Sequence, residues 1–159
     1  MRRSDALRQT RTCNRRGQCF DARGLMPDRS VRGAATDSAR ALLRRLIEQH
    51  GPVLLLLRSG AATPICLPAR EFHPDDGDVL VTRLPWHTEF WMSDDNYARF
   101  AGDHLTVDVR PEADDDAPTG SLEAAEQSSF VLSVRPLDAT EAAAAAAAPP
   151  PRTGADRLR

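Results

Sequence analysis

The stretch TDSARALLRRLIEQHGPVLLLL, residues 36–57, decides how this chain is read. Thr36, Asp37 and Ser38 are side chains that cap helices, accepting from the free N–H groups of a first turn. Behind them Leu42, Leu43, Leu46 and Ile47 recur at helical spacing, while Arg40, Arg44, Arg45 and Glu48 take the other face. The spacing predicts an amphipathic helix over residues 37–49. Gly51 suits the left-handed residue that ends a helix and Pro52 cannot continue one, so the chain turns there. Val53 to Leu57 is then an unbroken apolar run of strand length, the pattern of a strand covered on both faces and central in its sheet.

Outward from this stretch the signals alternate. Residues 58–74 (RSGAATPICLPAREFHP) are rich in turn formers and read as an irregular loop with at most a short extended piece. Asp75-Asp76-Gly77-Asp78 turns into a strand at Val79-Leu80-Val81, and Glu89 to Met92 reads as another. Ser93 caps a short helix through Tyr97 and Phe100, ended by Gly102. HLTVDV, residues 104–109, alternates, with Leu105, Val107 and Val109 on one face. Residues 110–118 form an acidic loop, Ser121-Leu122-Glu123 starts a further strand, and SSFVLSVR, residues 128–135, is a strand. One amphipathic helix, strands, a short second helix and more strands give an α+β class with a mainly antiparallel sheet.

Both ends differ from this domain. Residues 1–33 carry nine Arg against three Asp and show no periodicity, so they read as a disordered Arg-rich leader, with Met26 a second candidate start. Residues 34–140 carry nine Arg against eighteen acids and form the single domain. Residues 141–159 open with EAAAAAAAPPP, a low-complexity Ala/Pro tail whose removal leaves the fold intact. The net charge of −2 argues against a general polyanion binder, and arginines spread through the leader among acids and glycines argue against nucleic acid. No apolar run approaches the roughly 20 residues of a membrane helix. Cys13, Cys19 and Cys66 are odd in number and imply no disulfide framework, so a reducing cytoplasm is the expected compartment.

Few residues suggest chemistry. No nucleophile elbow, P-loop or dinucleotide fingerprint occurs. His50, His73, His87 and His104 are scattered, none at the spacing of a helical metal pair. His73 with Glu71, Asp75, Asp76 and Asp78 reads as a turn rather than a calcium loop. Cys66, between apolar neighbours, reads as a small buried hydrophobe, with a reactive thiol near Arg58 and Arg70 as the alternative. The candidate loop is Ser59, Gly60, Cys66 and Glu71; the candidate pocket is Trp86, His87 and Trp91; and the weak metal candidates are Cys66, His87 and His104. No cofactor is expected, with a metal ion left open.

Three stretches, taken together, carry a resemblance. They are ALLRRL with His50-Gly51-Pro52; Ser59-Gly60 followed by TPICLPAREF (residues 63–72); and Phe90-Trp91-Met92 with LTVDV (residues 105–109), Ser121-Leu122-Glu123 and Phe130. Over residues 39–138 the chain resembles a bacterial family known as domain of unknown function 779, often encoded beside aldehyde dehydrogenases. That family carries two adjacent cysteines and an Asp-Gly after the Ser-Gly, where this chain has only Ala61-Ala62. Its Trp-Lys-His-Thr-like element is Phe100-Ala101-Gly102-Asp103 here. The chain is thus similar to a divergent member lacking the paired cysteines. The order of elements is also similar to that of A-type iron–sulfur carriers, an analogy of architecture that confers no function. The resemblance implies an accessory or interaction protein without catalytic activity of its own, with an aldehyde or alcohol dehydrogenase as the implied partner and the oligomeric state open. The alternative is a metal- or thiol-dependent protein using Cys66 with His87 or His104.

Overall fold

Thr36 fixes where the first helix begins, and with it the layering of the molecule. Its Oγ1 accepts from the Ala39 N–H at 3.2 Å and donates to Asp108 Oδ1 at 2.7 Å, while its own N–H donates to the Val107 carbonyl at 2.9 Å. Helix α1 (Asp37–His50) is therefore pinned to a strand as it starts. Ala39, Leu42, Leu43 and Leu46 form its buried stripe, and the Gly51 N–H closes it on the Ile47 carbonyl at 2.9 Å with φ 78°. Each buried leucine contributes about 1.5–3 kcal/mol. The computed structural model describes residues 32–111 and 120–157, together with a two-residue antiparallel ladder between Thr12–Cys13 and Cys19–Phe20. Apart from that ladder, the expected disordered leader up to residue 31, Met26 included, and residues 112–118 of the expected acidic loop lie outside the described residues, whereas Arg110, the first loop residue, belongs to a strand.

Seven strands follow in two mixed sheets. β1 (Gly33–Ala35), β6 (Asp103–Pro111) and β7 (Ser128–Pro136) form one, ordered β1-β6-β7. β2 (Val53–Leu57), β3 (Ile65–Pro68), β4 (Val79–Leu84) and β5 (Thr88–Met92) form the other, ordered β3-β2-β5-β4. The α+β class holds, and of the five strand pairings three are antiparallel and two parallel, but the one sheet expected is two mixed sheets. Two hairpin-like pairs, β2/β3 and β4/β5, lie side by side with β2 and β5 inside and parallel (Leu55 opposite Phe90), and β1 runs parallel to β6 (Gly33 opposite Leu105). Strand patterning carries no information on which hairpins abut.

β2 is central and buried throughout, and its alternate residues feed two cores. Val53, Leu55 and Leu57 join Cys66, Phe90 and Met92 beneath α1, where Leu105, Val107 and Phe130 of the three-stranded sheet meet them. Leu54 and Leu56 face the other way, into a smaller cluster with Phe72, Leu80 and Trp91. The two sheets touch closely at Gly33, where a Cβ would stand 2.6 Å from Thr82 Cγ2, so any side chain there would have to displace buried Thr82. That strand begins at the last residue assigned to the leader.

The short extended piece allowed within residues 58–74 is a four-residue strand, β3, followed by a single 3-10 turn over Ala69–Glu71. Two other expectations change. Ser121-Leu122-Glu123 starts no strand: Leu122–Glu126 is a 3-10 helix ended by left-handed Gln127 (φ 51°), in keeping with the helix-forming Leu-Glu-Ala-Ala run. The boundary drawn after residue 140 falls inside α3 (Ala139–Ala147), whose Asp138 cap accepts from the Glu141 N–H at 2.8 Å and whose Glu141 pairs bidentately with Arg135 at 2.9 and 3.0 Å. After three prolines the chain returns to β4, with Thr153 bridging Val79 and a short helix, α4 (Gly154–Arg157), at the end. Composition marks the stiff proline run, but the docking depends on single residues beyond it. The short second helix, α2 (Asp94–Arg99), stands where Ser93 places it.

Candidate functional site

Cys66 sits in the middle of β3 with its side chain turned into the core beneath α1 and no exposed surface. Being on the outer strand of its sheet, it would present a backbone N–H to no neighbour, and the 3-10 helix fills that position. Glu123, fully buried, brings its Oε2 to the Cys66 N–H at 3.0 Å across 57 residues of sequence. A carboxyl group taken out of water is costly unless it is hydrogen-bonded, and here it completes the sheet at β3. Burial first, and the negative charge of Glu123 second, push the Cys66 thiol far above its ordinary range. Thiolate, the nucleophilic and metal-binding form, is disfavoured at this position.

The other candidate loop residues do not gather round it. Ser59 and Gly60 follow the end of β2, where Ser59 Oγ donates to Asp95 Oδ2 at 2.7 Å and Gly60 has φ 74°. The nearby Ser93 hydroxyl and the Ser59 hydrogen bond hold the Asp95 carboxyl below its usual range. Buried Asn96 reinforces this end, its Nδ2 donating to the Arg58 carbonyl at 2.9 Å. Glu71 is exposed and follows the end of β3, which is antiparallel to β2 (Val53 opposite Pro68, Leu56 opposite Ile65), so it lies at the opposite end of the pair.

The candidate pocket also divides. Trp86 and His87 form the turn between β4 and β5, both exposed and both left-handed, at φ 65° and 58°. Trp91 is 2% exposed and packs in the smaller cluster on the other side of the sheet, its Nε1 donating to Glu89 Oε2 at 2.9 Å. Trp86, at 54% exposure, stands instead beside α1 with the Arg44 guanidinium 5.8 Å from its ring. Together they border an open groove of about 680 Å³ whose floor includes Ala41, Leu42 and Val109 and whose rim includes Arg40 and Arg45.

His104 is buried on β6 opposite Arg135, with Nδ1 3.5 Å from Thr106 Oγ1. Burial first and the Arg135 charge second hold its pKa below the usual imidazole value, with Glu141 opposing. The folded state thus favours the neutral ring and binds fewer protons than the unfolded chain, so this contribution to stability is present above the unfolded pKa and is lost as pH falls through it toward the folded value. The urea midpoint of the parent should drop more between pH 7.5 and 5.5 than that of His104→Gln; equal drops would contradict the assignment. Among the described residues no three His, Cys, Asp or Glu side chains converge in a metal-holding group, so Cys66, His87 and His104 do not make a ligand set.

Glu123 is the residue that sequence reading missed as a partner of Cys66. The signal was present only as Ser121-Leu122-Glu123 in the family pattern, and the structure brings that element onto the Thr63-to-Phe72 element. The fold and site define a small α+β domain in which a buried carboxyl group caps the free N–H of a core cysteine on an edge strand. The chain belongs to the family described as Domain of unknown function (DUF779), whose model matches residues 42–135 and bears out the resemblance read from the sequence. No curated protein matches the chain. Among the described residues no helix is long and apolar enough to cross a membrane.

Proposed function

We propose that this chain is a cytoplasmic accessory protein, without catalytic activity of its own, that works by docking another protein on the groove between α1 and Trp86. One observation carries the reading: a tryptophan 54% exposed and held in a left-handed backbone over a helix face. Such a conformation costs a non-glycine residue about 1–3 kcal/mol and persists where the surroundings impose it, often at binding sites. Tryptophan and arginine are the side chains on which interface energy concentrates. Arg40 and Arg44 spend their charge on Asp37 at 3.5 Å and Glu48 at 3.1 Å. Pairs this exposed contribute little, so both guanidinium groups can turn to acidic side chains of a partner.

The partner proposed is an aldehyde or alcohol dehydrogenase, the enzyme class that the family resemblance implies. The buried Cys66 thiol supports a role by surface contact over a thiol- or metal-dependent one. Purified chain titrated with an aldehyde dehydrogenase of the same organism should bind, and Trp86→Ala should weaken binding about 30-fold, as for a residue contributing about 2 kcal/mol. Cys66→Ala should leave the affinity unchanged. A parent that does not bind, or a Trp86→Ala protein that binds equally well, would remove the reading.

A further inference from the structure

The outer edge of β4 and the face beneath it hold the chain's own C-terminal residues as a receptor holds a peptide. The Leu80 N–H donates to the Arg152 carbonyl at 2.9 Å, the Gly154 N–H donates to the Asp78 carbonyl at 2.8 Å, and Thr153 bridges Val79 antiparallel between them. Gly154 is buried, and a Cβ there would overlap the Asp75 carbonyl oxygen, so the slot admits only glycine. Three residues on, the Arg157 guanidinium lies 5.5 Å from the Phe72 ring and 5.9 Å from the Trp91 ring, and its Nη1 meets Glu89 Oε2 at 3.1 Å. Phe72 and Trp91, ring centroids 5.6 Å apart, are packed with Leu54, Leu56 and Leu80. Trp91 Nε1 already donates to that same Glu89 oxygen at 2.9 Å.

The receptor is therefore built from the sheet: a strand edge for the main chain, a slot for glycine, and an aromatic pair with a carboxylate for a guanidinium. The segment leading to its present occupant packs into no core. α3 buries none of its residues, and residues 149–152 are exposed. Strand addition with side-chain pockets is a general mode of peptide recognition, and cation–π contact with a carboxylate is a general means of holding arginine. We propose that this surface is a binding site for a partner peptide carrying glycine followed three residues later by arginine, and that residues 152–157 occupy it in cis. Held in cis, the tail competes as an intramolecular ligand and so screens out weaker ligands. The site is independent of the Trp86 groove.

The test uses the full chain with Trp86→Phe, so that Trp91 is the remaining tryptophan, with and without Gly154→Val. The probe is the acetylated, amidated peptide Arg-Thr-Gly-Ala-Asp-Arg. Gly154→Val should shift Trp91 emission, and the peptide should reverse the shift saturably, with an Ala in place of its last Arg weakening binding at least about tenfold. The Gly154 chain should not respond. A folded Gly154→Val protein with parental emission, or a shifted one indifferent to the peptide at several millimolar, would make the tail a fixed part of the fold and overturn the proposal. If Gly154→Val does not fold, Arg157→Ala empties only the guanidinium position. N-acetylarginine amide should then restore Trp91 emission, and its failure to do so would overturn the proposal equally.

Discussion

Phe130→Ala should cost about 3–5 kcal/mol of stability, the range for removing a fully buried phenylalanine. Phe130 is 0% exposed and belongs to β7, yet it packs in the cluster that holds Leu55, Phe90 and Met92 of the other sheet and the leucines of α1. Removing it opens a cavity where three layers meet, and the layers cannot close on it without unpacking α1. Urea denaturation followed at once by far-ultraviolet circular dichroism and tryptophan emission should show one shared transition at a lower midpoint. Two separated transitions, or a loss below about 1 kcal/mol, would show that the sheets do not share a core.

The second large effect concerns Cys66. In a protein carrying Cys13→Ser and Cys19→Ser, Ellman's reagent should label Cys66 at least about 100-fold more slowly in the folded than in the urea-unfolded state, because reaction requires an opening that costs about 3 kcal/mol or more. Burial is the leading cause of the raised thiol pKa and Glu123 the second. Glu123→Gln, which keeps an acceptor for the Cys66 N–H and removes the charge, should therefore leave most of the protection in place. Glu123→Ala leaves that buried N–H without its acceptor and should cost about 1–3 kcal/mol. Fast stoichiometric labelling of the folded parent would restore the thiol-dependent reading and count against an accessory role.

What could be read from the sequence was local. The repeat of Leu42, Leu43 and Leu46 and the Gly51-Pro52 break placed α1 and β2 because periodicity and backbone restriction act within a few residues. The alternation of Leu105, Val107 and Val109 placed β6 for the same reason. The parallel contact of β2 with β5 was not legible, since each strand looks the same whichever hairpin adjoins it. Ser121-Leu122-Glu123 has the pattern of an extended segment, although Glu123 reaches from a 3-10 helix to a strand 57 residues earlier. Of the candidate site residues, exposure separated Trp86 from Trp91 and strand direction separated Ser59 from Glu71, and neither depends on composition. Gly154 and Arg157 sit behind a proline run that looks like the end of ordered structure, though their contacts are as specific as those of the core.

The closure of both borders of the four-stranded sheet, by Glu123 at β3 and by residues 152–154 at β4, has a bearing on how the protein behaves at high concentration. An unpaired strand rim is a template on which other chains can stack into fibrils. At those positions of the four-stranded sheet, pairing with another chain would first have to displace a bond made within the same molecule. Clipping the chain before Arg152 would bare the Asp78 carbonyl and the Leu80 N–H at this rim, and a clipped protein should polymerise more readily than the intact one.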